Sequence, residues 1–265
     1  MIVKTINLDN QYIVEENEKL IVTIGAFDAL HIGHKKLFNE LINEKMKRGH
    51  EYKTAVITFS KHPDFYLNKR EENNILETDY NKLQSFSDYN LDYVFLLEKE
   101  VLSLTYQDFH RQILDAINTE IVIVGKDFKY GYKALGNVNT LAAEYIVKSY
   151  LIKNHTGDKV SSSEIRELLK CGNVEETNRL LGRNYFIESN NYKVNDNNCI
   201  LYYNENMVRL YPGLYKCKLL VDNYCEVINA NFKIDYITFE LNDILKSKFA
   251  ESIKLEIISR IGNTL

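Results

Sequence analysis

His31 and His34, three positions apart with Gly33 between them, are the side chains in this chain best suited to chemistry. They directly follow the apolar run Leu20-Ile21-Val22-Thr23-Ile24 and a short Gly25-Ala26-Phe27-Asp28-Ala29-Leu30 segment. Beyond them Leu37, Phe38, Leu41, Ile42 and Met46 recur at helical spacing, and Gly49 is a natural stop. The pattern predicts a strand, a tight turn and a helix start. A helix N-terminus presents backbone N–H groups and a partial positive charge, so a phosphate can dock there. Two imidazoles at i and i+3 share one face of that end. Gly33 removes a side chain where a nucleotide could approach the backbone. A single histidine is usually a packed or solvated residue; a pair on such a turn points to phosphate chemistry.

The elements that must hold this turn can be read from periodicity. Apolar runs at 20–24, 55–59, 93–97 and 121–124 alternate with helical patterns at about 31–48, 79–88 and 105–117. That alternation predicts βαβ units, an α/β fold with a parallel sheet covered on both faces. Ligands in such sheets sit at the carboxyl ends of the strands, and Gly25, His62 and Gly125 each fall just past a strand end. A further helix is expected over 138–148, a short strand over 149–153 and a polar loop from Asn154 to Lys159. Ser161-Ser162-Ser163 can cap a helix at about 164–170, and a second helix at 175–181 would end at Gly182. After Tyr185 the texture changes to short Tyr- and Val-rich runs broken by Asn and Asp clusters, which predicts a small antiparallel β unit. Two domains are therefore expected, 1–185 and 186–265, with Ala250 to Arg260 readable as strand or helix.

Composition narrows the function. A net charge of −4 and a pI near 5.9 argue against a general nucleic-acid binder, which would show a basic face. No segment reaches the roughly 18 to 20 apolar residues that span a bilayer, and the N-terminal stretch with Asp9, Glu15, Glu16 and Glu18 lacks a secretory pattern. The expectation is a cytoplasmic protein without membrane or nucleic-acid partners. Cys171, Cys199, Cys217 and Cys225 are too scattered for a zinc ribbon or a redox pair, so reduced packing thiols and no structural metal are expected. Oligomeric state is not legible.

Residues 25–34, Gly-Ala-Phe-Asp-Ala-Leu-His-Ile-Gly-His, resemble the Gly-Asn-Phe-Asp-Gly-x-His-x-Gly-His motif of bacterial bifunctional riboflavin kinase/FMN adenylyltransferases. Four more segments match that family in order. Thr58-Phe59-Ser60-Lys61-His62-Pro63 is similar to Thr-Phe-x-x-His-Pro, and Val124-Gly125-Lys126-Asp127-Phe128-Lys129-Tyr130-Gly131 to Val-Gly-x-Asp-Phe-x-Phe-Gly. Val160-Ser161-Ser162-Ser163-Glu164-Ile165-Arg166 is similar to Ile-Ser-Ser-Thr-x-Ile-Arg, and Leu180 to Tyr185 to Leu-Leu-Gly-Arg-x-Tyr. The resemblance covers residues 20–186.

It implies a Rossmann-like nucleotidyltransferase that uses ATP with Mg2+ to convert FMN into FAD, with no covalent protein nucleophile. On that basis His31 and His34 would donate to the ATP phosphates. Ser161, Ser162 and Arg166 would grip the β- and γ-phosphates across a common triphosphate-sized cleft. Gly25, Phe27, Asp28 and Gly33 complete the ATP set, with Asp28 organising the turn or assisting magnesium. Phe59, His62, Pro63, Asp127, Phe128 and Gly131 are implied to approach the flavin, although Phe59 in an apolar run also suits the core.

The chain departs from the pattern in places. Ala26 and Ala29 stand where the family has Asn and Gly, and the Gly-rich Pro-Thr-Ala-Asn stretch of the kinase barrel is absent. Pro212-Gly213-Leu214-Tyr215 is similar to the barrel's Pro-Gly-Val-Tyr, so residues 186–265 resemble a truncated barrel expected to lack riboflavin kinase activity. Transfer to another phosphorylated metabolite, or flavin and nucleotide binding without turnover, remain alternatives.

Overall fold

A computed structural model describes residues 1–6, 8, 18–66, 74–152, 157, 160–195, 197–242 and 251–262. The chain divides into two compact units, one of residues 1–70 and 78–160, the other of 71–77 and 161–265. The division by contacts thus falls at Val160/Ser161, whereas the change of sequence texture falls at 185/186.

The first unit is built on six parallel strands. β1 (Ile2–Ile6), β2 (Lys19–Ile24), β3 (Tyr52–Phe59), β4 (Tyr93–Leu97), β5 (Thr119–Gly125) and β8 (Ile146–Tyr150) lie in the order β1-β4-β3-β2-β5-β8, and every neighbouring pair is parallel. β6 (Lys129–Tyr130) and β7 (Gly136–Asn137) form a separate small antiparallel pair. In β2 and β3 the apolar residues run almost without interruption because both faces are buried. Leu20, Val22 and Ile24 feed one core layer with Ala55, Ile57, Val122 and Val124; Ile21 feeds the opposite layer with Phe27, Phe38, Val56 and Ile123.

α1 (Ile32–Arg48) follows β2 and buries Leu37, Phe38 and Leu41 on that second layer. It ends at Gly49, whose φ of 102° only glycine adopts readily, with Lys45, Lys47 and Arg48 in its negative last turn. Met46, expected on the apolar face, is 74% exposed, and Glu44 is buried instead. The reason is electrostatic: Glu44 accepts hydrogen bonds from Lys148 of β8 at 2.6 Å and from Arg48 at 2.9 Å. α2 (Pro63–Tyr66) follows β3, α3 (Asp79–Ser87) precedes β4, and α4 (Tyr106–Phe109) runs into a π-helical turn at His110–Leu114. The helix expected over 138–148 is only α5 (Val138–Ala142), because β-branched Ile146 and Val147 join β8 and pair with Ile121 and Val122 of β5. β1 was not expected from the sequence. Of the expected 154–159 loop only Gly157 is among the described residues.

The second unit contains α6 (Ser162–Lys170) and α7 (Val174–Leu181), then an antiparallel sheet. β9 (Tyr185–Ser189), β10 (Tyr192–Asn195), β11 (Asn198–Tyr202), β12 (Gly213–Val221), β13 (Tyr224–Phe232), β14 (Tyr236–Glu240) and β15 (Ile253–Gly262) take the order β10-β11-β14-β13-β12-β15-β9. The ambiguous C-terminal segment is therefore a strand, alternating buried Ile253, Leu255 and Ile257 with partly exposed residues. The fold is an α/β, Rossmann-like parallel sheet accompanied by a separate antiparallel β unit.

Glu44→Ala should leave the Lys148 ammonium without its carboxylate and lower unfolding stability by about 1 to 3 kcal/mol. Chemical denaturation with an unchanged m-value checks this.

Candidate functional site

The site begins where β2 ends. Gly25 follows the strand, and its N–H donates to the Ile57 carbonyl of β3 at 3.1 Å. The chain then kinks: Phe27 and Ala29 adopt φ of 48° and 54°, left-handed values rare for residues with a Cβ. Ala29 thus occupies a conformation that glycine, the family's residue there, reaches without strain, at a cost of about 1 kcal/mol. Its burial and that of Phe27 hold the turn in place. Phe27, expected to face ATP, is 1% exposed and packs edge-on beneath His34, with ring centroids 5.0 Å apart and planes at 78°. It also meets Phe38 and Phe86 edge-on, so it supports the histidines from the core side. Its place in the core leaves no ring surface for a nucleotide.

The kink delivers His31 as the N-cap of α1. Its Nδ1 accepts the His34 backbone N–H at 3.3 Å, a role that requires that nitrogen to be unprotonated and leaves Nε2 as the N–H donor. The His31 and His34 rings stack, centroids 3.6 Å apart and 18° from parallel. Burial, and then the neighbouring His34, push the His31 pKa down to about 2; burial pushes His34 down to about 4 against the pull of the Ala29 carbonyl and Asp28. Both imidazoles are therefore neutral near pH 7. His34 Nδ1 is buried and has no hydrogen-bond partner among the described residues. An unpaired buried polar atom costs free energy that a ligand can recover. Here it stands beside the first amides of a seventeen-residue helix. Ile32 and Gly33 lead that helix, where N–H groups lack intrahelical acceptors.

Gly33 has a further physical reason beside the one the sequence suggested. A Cβ there would lie 1.9 Å from Ile152 Cγ2, and a Cβ on Gly125 would lie 3.0 Å from Ile152 Cδ1. Ile152, just past β8, therefore fills the hollow between the two glycines, so Gly33 makes room for a side chain of the protein itself. Nothing in the local pattern around 149–153 singled it out.

The other residues of this rim follow from strand ends. Phe59 closes β3, packs partly into the core, and its carbonyl accepts from the buried Lys82 ammonium at 2.9 Å. His62 and Pro63 lie just beyond, partly exposed, at the start of α2. After β5 the Phe128 N–H donates to the Gly125 carbonyl at 3.0 Å, which leaves Asp127 exposed and Phe128 partly open. Gly131, with φ of 71°, approaches Tyr106 so closely that a Cβ would lie 3.0 Å from its backbone nitrogen. The first unit thus brings Gly25, Asp28, His31, Gly33, His34, Phe59, His62, Pro63, Asp127, Phe128 and Gly131 to the carboxyl-end rim of one sheet. Lys82 joins it, a residue hidden in sequence because a lysine on an amphipathic helix normally faces water.

Ser161, Ser162 and Arg166 belong to the second unit. Ser161 Oγ accepts the Glu164 N–H at 3.2 Å and so is the N-cap of α6. Arg166 is 7% exposed, with Nε donating to the Asn74 carbonyl at 2.7 Å. Among the described residues no group of three or more His, Cys, Asp or Glu side chains could hold a metal ion, and no helix is long and apolar enough to cross a membrane.

The profile of the FAD synthetase family matches residues 13–164. A bifunctional riboflavin kinase/FMN adenylyltransferase of Buchnera aphidicola subsp. Acyrthosiphon pisum (strain APS) is 32% identical over 187 residues, 66% of this chain and 58% of that protein. Its namesake in Bacillus subtilis (strain 168) is 31% identical over 195 residues, 70% and 61% of the two chains. The match thus spans about three fifths of these relatives' length. A solved structure described as a macrolide-efflux protein from Streptococcus pneumoniae superposes with a TM-score of 0.85 over 100% of this chain and 92% of its own, at 20% identity, and shares the fold.

The neutral histidines have a consequence for pH. The unfolded chain takes up protons near the ordinary histidine pKa of about 6.5, while the folded chain resists them down to about 4 at His34 and about 2 at His31. Stability should therefore be fully present above about 6.5 and fall as pH drops from there towards 4. A His31→Asn/His34→Asn variant should show a flatter melting temperature over that range; an equally steep decline would contradict the assignment.

Proposed function

The chain belongs to the FAD synthetase family, and from that premise we propose that it is an FMN adenylyltransferase, transferring AMP from ATP to FMN with release of pyrophosphate. The observation that carries this reading is the stacked, neutral His31–His34 pair at the N-terminus of α1, with His34 Nδ1 buried and unpartnered.

In the reaction an oxygen of the FMN phosphate attacks the α-phosphorus of ATP. The bond from that phosphorus to the α–β bridging oxygen breaks, and its electrons leave with pyrophosphate. The protein supplies alignment and charge stabilisation, because no protein atom is covalently involved. A neutral imidazole can donate a hydrogen bond to a phosphate oxygen without paying to desolvate a cation. His31, fixed by its capping bond as an Nε2–H donor, suits that task, and the adjoining helix amides add partial positive charge. His34, as its Nδ1–H tautomer, donates to a phosphate oxygen and so gains the partner that this nitrogen lacks. Ser162 and Arg166 hold the β- and γ-phosphates in this reading, with Ser161 shaping the start of their helix; a guanidinium and a hydroxyl at a helix start suit a departing pyrophosphate.

Magnesium travels with the triphosphate as part of the substrate. The described residues offer no carboxylate cluster for it, and Mg2+ commonly needs only one or two protein ligands beside phosphate oxygens. Asp28, 7% exposed beside His34, is the carboxylate placed to assist.

The flavin is taken by the rim residues Phe59, His62, Pro63, Asp127, Phe128 and Gly131. Residues 186–265 do not act as a riboflavin kinase. Two glycines remain beyond Arg183, and Gly213 is used where its Cβ would strike the Gly262 carbonyl at 2.7 Å, a strand-packing role between β12 and β15. The protein works without nucleic-acid or membrane partners, in the cytoplasm.

Incubation with ATP, magnesium and either FMN or riboflavin, followed by separation of the flavins, tests the reading. FAD should form from FMN, and no FMN should form from riboflavin. His34→Ala should lower turnover by roughly 100- to 1000-fold, the usual cost of one preorganised donor. Equal turnover in variant and wild type would overturn the role given to His34.

A further inference from the structure

Behind the rim lies a buried polar cluster that the adenylyl-transfer reading does not use. His110, 1% exposed, opens the π-helical turn that follows α4. Such turns are uncommon and recur at functional positions. Its Nε2 is 2.6 Å from the Tyr130 hydroxyl, and its Nδ1 is 3.0 Å from a Glu144 carboxylate oxygen. The Tyr130 hydroxyl also lies 3.0 Å from Thr140 Oγ1, the side chain that completes the capping box of α5. One phenol therefore ties together the π-turn, β6 and α5.

Further rings adjoin this cluster. His110 lies nearly parallel to Tyr130, centroids 5.8 Å apart and 19° between planes, and Tyr130 lies nearly parallel to Phe128, 5.4 Å and 10°. Tyr145 meets His110 edge-on from the side at 5.2 Å. The backbone is shaped around this column: a Cβ on Gly136 would come within 2.7 Å of the Tyr130 ring. The column begins in the core and ends at the partly open Phe128. An aromatic plane with an open face is complementary to a flat heteroaromatic ring. The motif that this loop resembles carries Phe where Tyr130 stands, so the hydroxyl that meets His110 is a departure from that motif.

We propose that His110, acting through Tyr130, is a positioning residue for the flavin: it locks the tilt of the Phe128 ring against which the isoalloxazine stacks. The inference rests on the FMN-adenylyltransferase reading. Removing the Tyr130 hydroxyl alone leaves a buried imidazole nitrogen without its partner, and removing the imidazole alone takes away the base of the stack. Replacing both by apolar residues of similar size leaves no buried polar atom unsatisfied and keeps the column filled.

The test is steady-state kinetics and FMN fluorescence titration on the full chain, with thermal unfolding of each variant as a control. Tyr130→Phe and His110→Leu should each raise the KM and Kd for FMN about five- to tenfold, with KM for ATP and kcat within about twofold of wild type. The H110L/Y130F double variant should return to within about threefold, and His110→Gln, which keeps a hydrogen-bonding group, should lie between. Should a single variant fail to fold, the double variant and His110→Gln still decide the question. Hydrogen exchange of residues 126–131 should quicken in the single variants and slow again in the double. Unchanged FMN affinity in both single variants, or an equal rise in KM for FMN and ATP, would overturn the proposal. A wild type that binds FMN normally beside such variants leaves the adenylyltransferase reading standing; a wild type that binds no FMN removes both.

Discussion

The hydrogen bond from the His34 backbone N–H to His31 Nδ1 is the constraint on which the site depends. It makes an imidazole serve as a helix cap, a task more often given to serine, threonine or aspartate. A cap must accept, so the bond fixes which nitrogen of His31 carries the proton. It also draws the rings of residues three apart into a stack 3.6 Å deep. Packed on Phe27, with His31 buried and His34 partly so, both rings stay neutral, so the N-terminal end of α1 carries uncharged imidazoles instead of fixed cations. In the proposed reading, selectivity for an anion comes from directed hydrogen bonds and the helix dipole.

The cost of this arrangement lies in the turn before it. Two residues with a Cβ sit at left-handed φ, and Ala29 does so where a glycine would be relaxed. Such strain persists only where the surroundings over-determine it. Here they do: Phe27 is clamped by three aromatic neighbours, and the Thr58 hydroxyl donates to the Ala26 carbonyl at 3.1 Å from β3. The alanine that stands where the family has glycine is thus held in place by packing.

Much of this was legible in the sequence because the strongest signals were local. The uninterrupted apolar runs of β2 to β5 could only be strands buried on both faces, and the histidine pair after the first of them marked a helix start. What escaped the sequence was set by distant partners. Glu44 displaced Met46 from the buried face because Lys148, 104 positions away, claims it. Residues 146–148 read as the end of a helix, and the strand expected from 149 begins at Ile146 because β5 offers a partner there. That Phe27 packs in the core beneath His34 and that Gly33 admits Ile152 are likewise set by partners outside the local pattern. Lys82 and the His110 cluster were invisible for the same reason: a buried polar side chain is recognised only by its partners.

The most direct measurement of the central claim is a crystal structure of the chain with a non-hydrolysable ATP analogue and magnesium. The account predicts a phosphate oxygen at the amide end of α1, within about 3 Å of His34 Nδ1, with Ile152 displaced from its present contact with Gly33 if the nucleotide takes that hollow. A triphosphate bound elsewhere, with the His31–His34 stack untouched and His34 Nδ1 still without a partner, would contradict it.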